Sequence, residues 1–118
     1  MRGSPFPLIA ALTFLLMCSA PSMSATLIMV DWRACGYCQK FNREVAGSYA
    51  STHAGKTAPL RRVNALGSWP SDLRSVRRAR GTPTFILVDN GREVGRFAGY
   101  SSRAHFWSRL NRLLTRID

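Results

Sequence analysis

Thr26-Leu27-Ile28-Met29-Val30-Asp31-Trp32-Arg33-Ala34-Cys35-Gly36-Tyr37-Cys38 carries the chain from an apolar run straight into a pair of cysteines two residues apart. The first five residues are apolar or β-branched without alternation, the pattern of a short strand buried on both faces. Beyond the pair, Cys38, Phe41, Val45 and Tyr49 recur at intervals of three and four, which predicts an amphipathic helix. Cys35 therefore falls at a helix N-terminus. Unpaired backbone N–H groups and the positive end of the macrodipole stabilise a thiolate there. The expected pKa lies below the free value of about 8.5, which makes Cys35 the attacking sulfur. Cys38, one turn further in on the apolar face, is expected to be shielded and to act as the resolving sulfur.

Downstream, Gly55 marks the helix end or the loop beyond it, and Pro59-Leu60-Arg61-Arg62-Val63-Asn64-Ala65 can form a second strand. Trp69, Leu73 and Val76 share a helical face, with Ser68 or Ser71 as N-cap and Gly81 as the stop. Thr84-Phe85-Ile86-Leu87-Val88 repeats the doubly buried strand pattern, and Asp89-Asn90-Gly91 turns it into a hairpin strand from Glu93 to Phe97. Gly95 is the expected bulge. The last helix starts at Ser101 or Ser102, buries Phe106, Trp107, Leu110, Leu113, Leu114 and Ile117, and turns Arg109, Arg112 and Arg116 away. The predicted order is β-α-β-α-β-β-α, a parallel pair joined by a helix followed by an antiparallel hairpin and a covering helix.

Of the 118 residues, the first 25 read differently from the rest. Arg2 and the amino terminus precede an apolar stretch from Leu8 to Met17, and small residues follow at Ala20, Ser22, Ser24 and Ala25. That order is a secretory signal peptide, and the stretch is short of the roughly 20 residues a spanning helix needs. Residues 1–25 are thus a leader and residues 26–118 one domain. Lipid attachment at Cys18 is disfavoured by the bulk of Met17. Removal of the leader takes Cys18 with it and leaves Cys35 and Cys38 as the only pair. A bridge across so short a loop staples little, so its use lies in being made and broken.

Other chemistries fit less well. Structural zinc needs about four ligands, and only His53 and His105, far off in sequence, could add to the pair. Covalent haem attachment needs His after Cys38, where Gln39 stands. No nucleotide or flavin motif occurs, so no cofactor beyond the cysteine pair is expected. Two thiolates suit Cu(I), which leaves a copper-binding module as a competing class, although no Met- or His-rich loop lies near. The chain carries 17 Lys and Arg against 6 acids. Such a balance suits an acidic protein or an anionic membrane, and a basic adaptor without redox turnover is a third class. Nucleic acid is not an expected partner of an exported chain. The same balance also suits a merely solvated basic surface.

Gly81-Thr82-Pro83-Thr84 completes the pattern. Pro83 stands directly before a buried strand, where a cis peptide fits a tight turn. A strand, a CxxC at a helix start, Thr-Pro before a central strand, a hairpin and a final helix together resemble the thioredoxin superfamily. The resemblance implies a minimal thioredoxin-like α/β fold and thiol–disulfide exchange on a protein disulfide. It implies a cis bond between Thr82 and Pro83, and a substrate groove formed by Gly36, Tyr37, Thr82 and Pro83 beside Cys35.

The short form, with Pro59-Leu60-Arg61-Arg62-Val63 and the ending Gly99-Tyr100, is similar to the small periplasmic thioredoxin-like proteins of bacterial sulfur-oxidation clusters. That implies a periplasmic reductant of partner cysteines, such as those of a sulfur-carrier protein, fed by a membrane thiol donor. The sequence departs from thioredoxin in three ways. Ala34 and Tyr37 stand where thioredoxin has Trp and Pro, its first strand–helix unit is missing, and Asp31 lies four residues before Cys35 instead of six. Asp31 is therefore expected to pair with an arginine rather than to shuttle protons. Glu44 is expected at the surface, Trp69 and Trp107 in the core, and Trp32 either in the core or beside the groove.

Overall fold

Leu27, Ile28, Met29 and Val30 have no solvent exposure at all, so β1 (Thr26–Asp31) is enclosed on both faces as its apolar run requires. The computed structural model describes residues 3–5 and 24–117. Cys18 and almost all of the expected leader lie outside the described residues. Ala25, at its expected boundary, is buried in the core.

β1 lies parallel to β2 (Leu60–Asn64), with Asp31 opposite Asn64. On its other side it runs antiparallel to β3 (Thr84–Asp89), with Val30 opposite Thr84. β4 (Arg92–Ala98) returns along β3 and closes the order β2-β1-β3-β4. The hairpin turns through Asn90 and Gly91, both at positive φ (52° and 75°), the backbone a tight primed turn demands. The bulge falls one residue before the expected Gly95. Leu87 faces Gly95 and Val88 faces Glu93, which leaves Val94 as the extra residue. Gly95 is small for another reason: a Cβ there would lie 2.5 Å from Leu113 Cδ2 on the final helix.

One face of the sheet is covered by helices. The chain is helical from Gly36 to Tyr49 as α1 (Gly36–Phe41), a π turn (Asn42–Ala46) and α2 (Gly47–Tyr49). It buries Cys38, Phe41, Val45 and Tyr49, the predicted stripe. α4 (Arg103–Leu114) is capped by Ser102, whose Oγ accepts from His105 N at 3.2 Å, and it buries Phe106, Leu110 and Leu113. The ring of Phe106 lies 5.1 Å from that of Phe41 and 5.0 Å from that of Phe85. Trp107, half-buried, stacks on Tyr49 with 14° between the ring planes.

Two elements differ from the sequence reading. Gly55 does not end a helix but sits inside α3 (His53–Thr57), which Thr52 caps through a 3.0 Å bond from Gly55 N. The expected helix across Trp69–Val76 is only a 3₁₀ turn at Ser71–Leu73. Pro70 is extended there (ψ 137°), and the indole Nε1 of Trp69 donates to the carbonyls of Leu73 (2.9 Å) and Val76 (3.1 Å). The backbone closes on three-residue bonds instead, from Leu73 N to Pro70 O (3.0 Å) and from Val76 N to Leu73 O (2.9 Å). The apolar face survives the loss of the helix. Leu73, Val76 and Ala79 still cover Ile28, Val30, Val63, Ile86 and Val88 on the second face, with Trp69 half-buried against them. The thioredoxin-like arrangement is otherwise as predicted.

Gly55 supplies a test of this packing. A Cβ on it would meet the carbonyl oxygen of Tyr49 at 1.9 Å, so backbone must move. Gly47 has nothing within 4 Å of its Cβ position and is helical at φ −64°. Gly55→Ala is expected to lower stability by about 1–3 kcal/mol, whereas Gly47→Ala raises it by roughly 0.5–1 kcal/mol. Urea unfolding of the two variants checks both signs.

Candidate active site

β1 delivers the chain to the surface at Asp31, and the next residues turn so that Cys35 N donates to Trp32 O at 3.1 Å. Cys35 becomes the N-cap of α1 with extended backbone (φ −84°, ψ 107°). Its Sγ accepts from the backbone N–H of Cys38 at 3.1 Å. That is the role a serine or aspartate oxygen plays at most helix starts. The bond holds the Cys35 sulfur at the positive head of the helix.

Cys35 and Cys38 are joined in a disulfide with Cα atoms 5.2 Å apart. An attacking Cys35 would be expected at the surface, with Cys38 shielded behind it. In the disulfide both are enclosed, at 6% and 2% exposure, because both sulfurs belong to the core cluster that holds Phe41 and Phe85. The intervening dipeptide is what reaches solvent: Gly36 is exposed and Tyr37 is 65% exposed.

The bond between Thr82 and Pro83 is cis. Pro83 is buried, Thr82 half-buried, and the pairing of Val30 with Thr84 brings them to the end of the sheet where β1 hands over to the cysteines. The carbonyl of Pro83 accepts from Gly99 N at 2.8 Å. Thr84 Oγ1 donates to Gly81 O at 2.6 Å, so the loop is tied on both sides of the proline.

Among the described residues, the large exposed hydrophobic side chains all stand at this end. Besides Tyr37 they are Trp32 and Leu66, at 38% and 73% exposure. Trp32 is thus outside the core, and with Arg33, Asn64 and Leu66 it bounds a cavity of about 340 Å³. On the other flank Tyr37, Gly99, Tyr100, Ser101 and His105 bound a second of about 300 Å³. Asp31 pairs with Arg62 at 2.8 Å, as expected, and Arg62 also donates to Asn42 Oδ1 at 2.7 Å.

Sequence reasoning missed two side chains. Glu44, read as surface, is half-buried and accepts from the hydroxyl of Tyr100 at 2.8 Å. His105, which had no partner by spacing, lines the Tyr37 cavity; its Nε2 lies 3.4 Å from Arg109 Nε, and its Nδ1 is enclosed without a partner. Glu44 and Tyr100 are 56 residues apart, so no local pattern announces their bond. His53 stays exposed on α3. Among the described residues no group of three or more His, Cys, Asp and Glu side chains converges as a metal site would need.

This geometry has known counterparts. A family model for the thioredoxin-like domain matches residues 20–114, and the chain belongs to that family. With its CxxC disulfide at a helix start, it is a thiol–disulfide oxidoreductase. Among solved structures it is similar to the reduced form of the periplasmic thioredoxin SoxS from Paracoccus pantotrophus, at 33% identity and a TM-score of 0.76. That match covers 80% of this chain and all of the other. The thioredoxin of Malassezia sympodialis (Mala s 13) shares the fold at 19% identity and a TM-score of 0.61, over 77% of this chain and 78% of its own. No curated protein sequence matches the chain.

The Tyr100–Glu44 contact yields a pH test. Burial, reinforced by the bond to Glu44, pushes the Tyr100 phenol up from its ordinary 10.0 to about 12; burial also raises Tyr49. A phenol whose folded pKa exceeds its unfolded value contributes stability that is complete below pH 10 or so and is lost as pH rises towards 12. The urea midpoint is therefore expected to fall steeply over that interval. Tyr100→Phe should cost about 1 kcal/mol near neutral pH and make the alkaline fall shallower.

Proposed function

We propose that the protein works outside the cytoplasm as a reductant of protein disulfides, with Cys35 as nucleophile and Cys38 as resolving residue. The observation that carries this reading is the Cys35 sulfur at the N-cap, bonded to the Cys38 N–H at the head of the helix. In the reduced protein the Cys35 thiolate attacks one sulfur of the partner's disulfide. A mixed disulfide forms, and the partner's other sulfur leaves as a thiolate. The Cys38 thiol, losing its proton, then attacks Cys35 Sγ and releases the second partner thiolate. Two electrons have passed to the partner, and the Cys35–Cys38 disulfide remains.

Gly36, Tyr37, Thr82 and Pro83 form the rim against which the partner's chain lies in this reading. The cysteine pair itself carries the electrons, without a further cofactor. A second dithiol protein must restore the pair, and a membrane thiol carrier suits an exported chain. The leader-like first 25 residues and the likeness to a protein described as a periplasmic thioredoxin support the location. Cysteines of a sulfur-oxidation carrier are the partner which that likeness favours.

The redox equilibrium with glutathione tests the direction. A reductant should give a potential below about −200 mV, and a value near −120 mV or so, that of a strong oxidant, would overturn the role. Alkylation of the reduced protein near pH 6 tests the division of labour. Cys38→Ser should keep the fast-reacting thiol, and Cys35→Ser should lose it, with iodoacetamide labelling slowed at least about tenfold.

A further inference from the structure

α4 contains no acidic residue, and His105, Arg109, Arg112 and Arg116 follow one another at spacings of four, three and four. They lie on the flank of the helix that meets β4. There Arg96, Arg109, Arg112 and Arg116 surround a concave cleft of about 150 Å³ floored by Phe97 and Leu113. Among the described residues, the carboxylate of Glu93 beside it is taken by Arg96, whose Nε lies 2.9 Å from Glu93 Oε2. Arg109, Arg112 and Arg116 are exposed and have no carboxylate partner among the described residues.

A side-chain contact links the cleft to the active-site end. Arg109 touches His105, and His105 shares the Tyr37 cavity with Ser101 and Tyr100. The stripe from His105 to Arg116 runs down α4 and into the turn that follows it, eleven residue steps or about 16 Å, which an extended peptide spans in roughly five residues.

We propose that this arginine stripe docks an acidic segment of the protein whose disulfide is exchanged, with the segment leading from beside Tyr37 down α4. The inference rests on the oxidoreductase reading above and adds the chemistry of the substrate. A protein segment fits better than a lipid surface because the stripe is concave, has an apolar floor and is joined at one end, through the Arg109–His105 contact, to the cavity beside Tyr37. Guanidinium forks around an apolar floor suit carboxylate side chains on an extended chain.

The test uses the reduced full-length protein and two synthetic peptides, each with the same internal disulfide. One carries four Glu within the six residues after the disulfide, and the other carries Gln at those positions. The acidic peptide should be reduced at least about tenfold faster at low salt, and the preference should shrink as salt screens the arginines. The triple variant Arg109→Gln, Arg112→Gln, Arg116→Gln should lose the preference. Arg43→Gln, Lys56→Gln, Arg74→Gln, which removes the same charge elsewhere, should keep it. Equal rates for the two peptides, or loss of the preference in both triple variants, would overturn the stripe while leaving the exchange chemistry in place. Binding of phosphatidylglycerol vesicles that the stripe variant alone abolishes, with no peptide preference, would assign the stripe to lipid and overturn the proposal. Failure to reduce either peptide would sink the underlying reading and this inference with it.

Discussion

The antiparallel pairing of β1 with β3 puts Leu27, Met29, Phe85 and Leu87 on one face of the sheet and Ile28, Val30, Ile86 and Val88 on the other. Neither face can be left to water. At about 25 cal/mol per Å² of apolar surface, leaving either side uncovered would cost more than a chain of this size can spare. The helices from Gly36 to Tyr49 and from Arg103 to Leu114 close the first face. The segment from Trp69 to Ala79 closes the second with hardly any regular structure. The reactive pair is a consequence of this arrangement. A strand sealed on both faces must leave the sheet at its end, and Cys35 is placed where the covering helix begins.

How much of this was legible in the sequence follows from which forces are local. The two doubly buried strands, the Asn90-Gly91 turn, the Ser102 cap and the stripe of α4 are set by neighbours in sequence, and each was found where its residues predicted. The helix expected over Trp69–Val76 gives way to a turn in which Pro70 is extended and the Trp69 indole bonds the carbonyls of Leu73 and Val76, contacts that a count of apolar intervals does not see. The bulge was placed one residue late for a related reason. Gly95 is small to admit Leu113 and not to kink the strand. The fold class survived both errors because burial, not helix content, decides it.

The site divides in the same way. The cysteines and the Thr82-Pro83 step could be read from local motifs. The surroundings that shape their use could not. The enclosure of both sulfurs, the Tyr100–Glu44 bond and the placing of His105 beside Tyr37 are contacts made across the fold. The charge excess was plain in composition, but the gathering of Arg109, Arg112 and Arg116 with Arg96 around one cleft depends on how α4 lies against β4.

The open sides of the sheet have a consequence of their own. β2 and β4 are its outer strands, and each offers a row of unpaired backbone groups on which another chain could grow. β2 meets this with Arg61 and Arg62, the first forked onto Asp72 and the second onto Asp31 and Asn42. β4 meets it with Arg92, Arg96 and the Val94 irregularity. A foreign strand approaching either margin encounters bulky cations in place of a flat apolar ribbon. Arginines at these four edge positions therefore have a use apart from net charge: they keep a small four-stranded sheet from joining edge to edge with its own copies.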